Sequence, residues 1–537
     1  MFVNILNKPI LIILAVWIFL TAFNINKAFH ADDAFHLEAA SHIMHDPLHP
    51  MSGIIRWDNE APTPIYYGNQ PPLLFYMIAG ISYLFGYSEI ALHIFISIFS
   101  FLALFWFYKL TFILNTPKPL ILVPLLGFTP AFIVNQNIMT DTPILALMLG
   151  GIYYLFLAEK KNHTLNYIIS FSLLSIGFFI KYPILLVFAA MAFIFIIKKQ
   201  YRNFKYFLIP IILITLWCIW NYLEFNSFHL FMRKLTPKYS RWNNTWTFLT
   251  CLGSIAPFGL LILNHLFKYK INKLSITITT ILFIIAISFL YYSDDYILNI
   301  SNYILEALFL INGIVIIGML THLFLKGIRF KKFLYFLQSE TGMLLIILGA
   351  LSIFFITIAP FIGTRHLLLT LPFILILSAS IIAHNQNWLI GYTIFITVIL
   401  GSLIGYSDWE YAAFYKKTAK AIMQSPSINT TVWATGIGGW QWYSKYYGMK
   451  EYHVDASKVQ IGDILVIARN TPNYRFNSNI KVSLLTKIWG EKVTPFTFLS
   501  ASHFYSMYHT DVGKPSWKFS KAPVDTIYVL QCIGYNP

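Results

Sequence analysis

The sequence predicts an all-α polytopic membrane protein of about thirteen transmembrane helices, followed by a small C-terminal extracytoplasmic α/β domain. Three observations predict it. Of 537 residues, 57% are hydrophobic and only 11% are charged, against roughly 25% charged in an average soluble chain, which excludes a soluble globule. Apolar runs long enough for a hydrocarbon core of about 30 Å, which needs about 20 helical residues, recur over the first three quarters of the chain. Basic residues punctuate these runs instead of gathering on one face. The net charge of +16 is therefore a membrane signature, and no nucleic-acid partner is expected.

Taken in order, the expected spans are 9–28, 90–114, 119–137, 142–158, 165–180, 182–197, 206–223, 248–267, 275–292, 297–325, 342–361, 366–384 and 388–406. The first follows a single Lys and shows no small-residue cleavage site, so it is expected to stay as an uncleaved span. The stretch Pro71–Gly86 is apolar but short and opens on two prolines. Charge decides its placement. If it does not cross, sixteen Lys and Arg residues fall on inner segments and eight on outer ones before residue 407, with the pairs Lys160-Lys161 and Lys198-Lys199 inside. If it crosses, every later loop changes sides and these pairs face out, against the positive-inside rule. Pro71–Gly86 is therefore read as a re-entrant or interfacial helix, with the amino terminus cytoplasmic and the carboxyl terminus outside. The domains are then 1–406, with a first outer loop over 29–89, and 407–537.

Beyond residue 407 polar residues return, and strand-like runs at Thr431–Thr435, Asp463–Ala468 and Thr526–Gln531 alternate with turns. About 130 residues suffice for a small soluble α/β domain. Its Gly436-Ile437-Gly438-Gly439 turn lacks the full GxGxxG spacing, so a structural turn is expected rather than a phosphate loop. The aromatics in Gly439-Trp440-Gln441-Trp442-Tyr443 suit stacking on a sugar, an aromatic belt or a small core equally well.

Residues able to do chemistry gather in the outer segments. The first loop reads His30-Ala31-Asp32-Asp33-Ala34-Phe35-His36. An Asp before an apolar-periodic run serves as a helix cap, but one suffices, and the second leaves a carboxylate free to act as a base. Asp141, in Thr140-Asp141-Thr142-Pro143, both opens a helix and places an acid at membrane depth, where it is a functional candidate by default. Lys181 and Arg365 stand on the outer side against the charge trend; an anionic partner such as a phosphate explains that placement, with snorkelling as the alternative. Arg233, Lys234, Lys238 and Arg241 add charge that suits lipid head groups.

Histidines His30, His36, His42, His45 and His49 crowd the first loop. His36, His42 and His45 are the candidates for a divalent metal together with Asp32 or Asp33, although no HExxH pattern fixes a ligand set. Cys218, Cys251 and Cys532 are too few for a disulfide framework and show no CxxC spacing, so free thiols are expected.

In order along the chain, Asp32-Asp33-Ala34-Phe35-His36, Asn69-Gln70-Pro71-Pro72-Leu73, Thr140-Asp141-Thr142-Pro143, Ile180-Lys181-Tyr182-Pro183 and Arg365-His366-Leu367-Leu368-Leu369-Thr370-Leu371-Pro372 resemble the GT-C glycosyltransferases of the protein O-mannosyltransferase and aminoarabinose-transferase type, glycosyltransferase family 39 and its bacterial relatives. The likeness covers roughly residues 9–406. It implies a GT-C membrane fold and transfer of a sugar from a polyprenyl-phosphate donor to a lipid, glycan or protein acceptor at the outer face of a bacterial plasma (inner) membrane. Carried over by position, Asp32 matches the catalytic acid of the first loop, Asp33 the acidic residue after it, and Asp141 the second acid. Lys181, Arg365, His366 and Gln70 match contacts to the carrier phosphate. The sequence departs from relatives at Asn69-Gln70, where they often carry Glu-Lys or Asn-His.

Two other classes compete. A transporter or flippase for a lipid-linked or anionic substrate would also carry many spans and intramembrane charge, but no internal repeat of spans is visible and the acids lie at one face. A GT-C-like scaffold that binds a lipid carrier without turnover keeps the fold and loses the chemistry.

Overall fold

The computed structural model describes residues 9–56, 62–68, 70–232, 240–266, 273–330, 332–426, 429–454, 456–469, 471, 477–491 and 507–536. Most of these residues are helical. Among them, six helices are long and apolar enough to cross a membrane: Glu89–Ile113, Asp141–Lys161, Tyr201–Phe225, Asp295–Arg329, Glu340–Thr357 and Asn387–Met423. A bent pair makes a seventh, and shorter apolar helices include Pro9–Asn24, Leu73–Phe85, Thr164–Phe178, Ile184–Ile197 and Leu371–Ala383. Leu216, Leu223 and Ile18 are among many large apolar side chains left exposed, as lipid-facing positions are in a chain whose solvent is hydrocarbon.

Several expected spans change shape, each for a local reason. The span expected over 119–137 is two helices, Pro119–Gly127 and Pro130–Val134, with 135–140 outside any helix. Thr129 is extended before Pro130, as the residue preceding a proline tends to be. The span expected over 248–267 is a pair, Arg241–Ile255 and Gly259–Leu266, bent by 95°; Pro257 lies in the break and removes a donor there. The span expected over 366–384 starts as a single turn, Thr364–Leu367, and becomes continuous only from Leu371. The last helix runs on from Asn387 to Met423 across the 406/407 position at which the sequence reading divides the chain, because no Gly or Pro interrupts 406–425.

Leu73–Phe85 has 13 residues, about 20 Å of helix, too short for a hydrocarbon core of about 30 Å. It packs against Asp33–His45 and ends on the exposed Tyr83, Leu84 and Phe85. Polar bonds between loops place it further. Residues before it bond to residues after it: Asp32 to Arg365, Tyr66 to Ser227, Arg56 to the Tyr452 carbonyl and Gln441 to Glu38. A crossing by Leu73–Phe85 would set these partners on opposite faces. A second set of bonds joins the other loop ends, Lys160 to Glu340, Lys198 to Glu159 and Lys118 to Asn387.

The chain beyond the last helix builds a five-stranded mixed sheet, while the first loop holds a two-stranded pair, β1 (Ile54–Ile55) and β2 (Thr63–Pro64). In the sheet, β3 (Val432–Thr435) lies between β4 (Lys450–Glu451) and β5 (Ile464–Ala468), parallel to both. The antiparallel β6 (Ile480–Trp489) and β7 (Thr526–Tyr535) complete it through β7 on β5. The three strand-like runs of the sequence are β3, β5 and β7. Helix Gly439–Tyr446 follows β3, and its opening turn meets the first loop: a Cβ on Gly439 would come within 2.5 Å of the Phe29 carbonyl oxygen. Residues 507–517 reach further in, with Trp517 donating to the Ser254 carbonyl and the Cys251 thiol beside Thr510.

Candidate active site

The first loop turns sharply before its helix. Ala31 has φ +52°, a left-handed conformation that a non-glycine residue adopts at a cost and that marks sites held by their surroundings. Asp32 stands at the N-cap of Asp33–His45 but makes no capping bond with its side chain. Its carboxylate instead pairs with the Arg365 guanidinium at 2.5 Å, and remains 23% exposed. Asp33 faces the interior. Its Oδ2 accepts the His30 backbone N–H at 2.9 Å, and burial pushes its pKa up to about 8, outweighing that bond and the Lys27 charge.

Asp141 begins the helix Asp141–Lys161 and is buried. Its Oδ1 accepts from Lys181 Nζ at 2.6 Å. Lys181 follows the end of Thr164–Phe178 just before Pro183, so the helix break that proline imposes is what turns this ammonium toward the site. Arg365 and His366 are close enough to Asp141 to act on its charge. His366 stacks on Phe355 and lies tilted against Phe361, with ring centroids at 5.7 and 5.4 Å. Asp141, Lys181 and His366 line a small cavity of about 40 Å³ with Pro183, Phe361 and Leu369. His36 meets Gln70 Oε1 at 2.7 Å; burial pushes its pKa down, and Asp32, Lys181 and Asp141 all act on it. The fold thus brings Asp32, Asp141, Lys181, Arg365, His366, His36 and Gln70 to one neighbourhood, with Asp33 directly behind. Asn69, Arg233, Lys234 and Lys238 lie outside the described residues.

The metal candidates are not brought together. His36 is engaged with Gln70, His42 with the His49 carbonyl and Ser52, and His45 with the Ser41 carbonyl. Among the described residues no three His, Cys, Asp or Glu groups are arranged to hold a metal ion. Among the described residues His36, His42 and His45 do not fit a divalent metal as one donor set, and of the two first-loop acids Asp32 is already paired with Arg365 while Asp33 faces the His30 backbone. The three cysteines are free thiols.

Sequence reasoning missed a buried network behind the site. The Lys27 ammonium pairs with Asp408 and donates to Asn137 Oδ1 at 2.7 Å. Asp408 also accepts from Tyr508 at 3.0 Å, lies 3.1 Å from His30 Nε2, and Asn137 donates to the Tyr508 hydroxyl at 2.8 Å. Lys27, His30, Asn137 and Asp408 are fully buried, and buried charge of this kind persists only when paired and hydrogen-bonded. Asp408 gave little signal, because it stands in a polar stretch of its helix with Glu410, Lys416, Lys417 and Lys420. Of the aromatics in Gly439–Tyr443, Trp440 is bonded to the Thr435 carbonyl and Tyr443 to Glu89. Trp442 lines a cavity of about 350 Å³ with Glu38, His42, Tyr87, Lys445 and Tyr446. There burial pushes the Glu38 pKa up to about 7 against the nearby Lys445.

Residues 69–227 match the family model described as dolichyl-phosphate-mannose-protein mannosyltransferase. That stretch contains Gln70, Asp141 and Lys181. No curated protein matches the chain. Likenesses to solved structures are distant. The S. cerevisiae protein O-mannosyltransferase Pmt1-Pmt2 complex bound to the sugar donor is 13% identical over 41% of this chain and 34% of that chain, with TM-score 0.32. ArnT from Cupriavidus metallidurans bound to undecaprenyl phosphate is 12% identical over 86% and 92%, with TM-score 0.43. The archaeal oligosaccharyltransferase AglB from Archaeoglobus fulgidus, in complex with an inhibitory peptide and a dolichol-phosphate, is 11% identical over 85% and 69%, with TM-score 0.42. The chain spans about a third of the yeast chain that it matches. With the protein-mannosyltransferase family matched over 69–227 and the first-loop and Arg365 motifs on either side of it, the chain resembles the GT-C glycosyltransferases of the protein O-mannosyltransferase and aminoarabinose-transferase type.

Proposed function

We propose that this protein is an integral-membrane glycosyltransferase that moves a sugar from a polyprenyl-phosphate carrier to a lipid, glycan or protein hydroxyl at the outer face of the plasma membrane, with its amino terminus cytoplasmic and its C-terminal domain periplasmic. One observation carries the reading. Two acids and two cations, paired as Asp32–Arg365 and Asp141–Lys181, meet at one end of the helical bundle, where a lipid-borne phosphate can bring its head group while its tail stays in hydrocarbon.

The partly exposed Asp32 is the base. It takes the acceptor's hydroxyl proton as that oxygen bonds to the anomeric carbon and the bond from that carbon to the phosphate oxygen breaks. The carrier begins as a phosphodiester with one negative charge and leaves as a monoester with a second charge developing. Cations fixed beside it therefore hold the transition state more tightly than the ground state. Arg365 serves both events. While Asp32 is ionised it holds the guanidinium; once Asp32 has taken the proton, its grip weakens as the phosphate gains charge. Lys181, oriented by Asp141, and His366 complete the phosphate side, and the Leu73–Phe85 helix, whose Leu73 N–H donates to the Phe179 carbonyl, stands beside them with Gln70 at its approach.

The test is release of polyprenyl phosphate by purified protein in nanodiscs offered a panel of polyprenyl-phosphate sugars together with a panel of lipid, glycan and peptide hydroxyl acceptors, with parental protein and Asp32→Asn. Release is expected from the parental protein and to fall by about 10³-fold or more in Asp32→Asn, the scale of losing a general base. Parental rates from Asp32→Asn would remove Asp32 from that role. Carrier binding without release across the panel would overturn the transferase reading in favour of movement of the lipid.

A further inference from the structure

Arg365 is held from two directions, and the second direction comes from the far end of the chain. Residues 362–364 and 507–510 lie side by side: Thr364 N and Oγ1 donate to the Met507 carbonyl at 3.0 and 2.9 Å, and Thr510 N donates to the Ile362 carbonyl at 2.9 Å. Between them Gly363 leaves room for the backbone, since a Cβ there would come within 2.3 Å of the Tyr508 carbonyl oxygen. This contact sets the Tyr508 ring under the Arg365 guanidinium, 6.0 Å from carbon to ring centroid, a cation–π distance. The ring is itself immobilised, because the Tyr508 hydroxyl donates to Asp408, accepts from Asn137 and lies 3.2 Å from His30 Nε2. His30 is two residues from Asp32, the other partner of Arg365.

We infer that Tyr508, contributed by the C-terminal part of the chain, is a positioning residue for Arg365: its ring carries the guanidinium and its hydroxyl fixes that ring to the buried Lys27–Asp408 pair. The inference rests on the reading that Arg365 holds the carrier phosphate. On it, residues 507–510 complete the phosphate site instead of merely covering it. The ring supplies an electron-rich face without competing as an anion, so Arg365 remains available to the phosphate when Asp32 releases it. A carboxylate in the same place would hold the charge permanently.

The experiment is a double-mutant cycle on affinity for a short-chain polyprenyl phosphate in nanodiscs, using the full chain as parental protein, Arg365→Ala, Tyr508→Leu and the double variant. Arg365→Ala and Tyr508→Leu are each expected to weaken binding, the latter by about tenfold, the scale of a partly desolvated cation–π contact. Tyr508→Leu in the Arg365→Ala background is expected to change nothing further, because non-additivity is the mark of residues acting through one another. Should Tyr508→Leu fail to fold, Tyr508→Phe keeps the ring and removes its tether. It is expected to weaken binding by about fivefold, near the worth of one hydrogen bond, and likewise to be silent without Arg365. Equal losses in both backgrounds, or none from either Tyr508 variant while Arg365→Ala weakens binding, overturn the positioning role and leave the transferase reading standing. Unchanged affinity in Arg365→Ala overturns the transferase reading's phosphate assignment, and the inference with it.

Discussion

Two neighbouring acids in the first loop meet opposite fates because one residue of chain separates a cation from a closed interior. Asp32 is partly exposed and paired with Arg365, whereas Asp33 is wholly buried and its pKa is pushed up to about 8 from an ordinary value of 3.8. An acid raised in the fold keeps its proton after the unfolded chain has lost it, so stability falls as pH rises from near 4 to about 8 and levels beyond. Each pH unit in that window costs up to about 1.4 kcal/mol. Asp33→Asn, which never ionises, is expected to flatten the fall in Tm between pH 5 and pH 8 in detergent; parallel curves for the two proteins would assign the titration elsewhere. Asp32, Asp141, Lys181 and Arg365 were legible in the sequence because each interrupts an apolar pattern beside a helix boundary. Lys27 and Asp408 were not, because the partners are 381 residues apart and each reads alone as a surface charge. Tyr508 had no signal at all: among 33 tyrosines, only its position between Asp408 and Arg365 distinguishes it.

At the scale of elements, the site is built where helices are interrupted. Asp141 follows the break after Pro130–Val134, Lys181 sits in the break before Pro183, and Arg365 occupies the single turn before Leu371. Hydropathy located these helices but not their bends, since a count of apolar residues treats the stretch around Pro257 as one span. The sequence also registered the Gly436–Gly439 turn as structural without saying what it touches. It touches the first loop, at the Phe29 carbonyl and the His30 backbone. Neither backbone segment can yield without moving the turn that aims Asp32. Gly439→Ala is therefore expected to lower turnover by about tenfold or more, as small misplacements of catalytic groups do, and to reduce Tm. Gly349→Ala is the contrast: a helical glycine with open space around its Cβ, where the change should leave turnover intact and raise stability slightly. Equal turnover in the two variants would mean that the turn does not aim Asp32.

For the whole molecule, charge distribution and polar bonding between loops agree, by independent routes, on which loops share a face. The positive-inside argument sorted loops by their Lys and Arg content, whereas the structure sorts them by which loops touch. Both keep the first loop on the same face as Ser227, Arg365 and Tyr452, and both leave Leu73–Phe85 on that face. The bonds fix relative sides only, because a bundle turned over in the membrane would keep them all. The proposed absolute sense rests on the sixteen-to-eight imbalance of basic residues, through the cost of translocating cationic loops. Single cysteines at three exposed positions, in a background without Cys218, Cys251 and Cys532, separate these claims. Leu48→Cys and Asn226→Cys lie on either side of Leu73–Phe85, and Asn162→Cys lies at the opposite ends of the helices. A membrane-impermeant thiol reagent is expected to label the first two on intact cells and the third only after permeabilisation. Opposite behaviour of Leu48→Cys and Asn226→Cys would mean that the short helix crosses. Labelling of only Asn162→Cys from outside would keep the fold but invert it, placing the acids and the carrier phosphate on the cytoplasmic face.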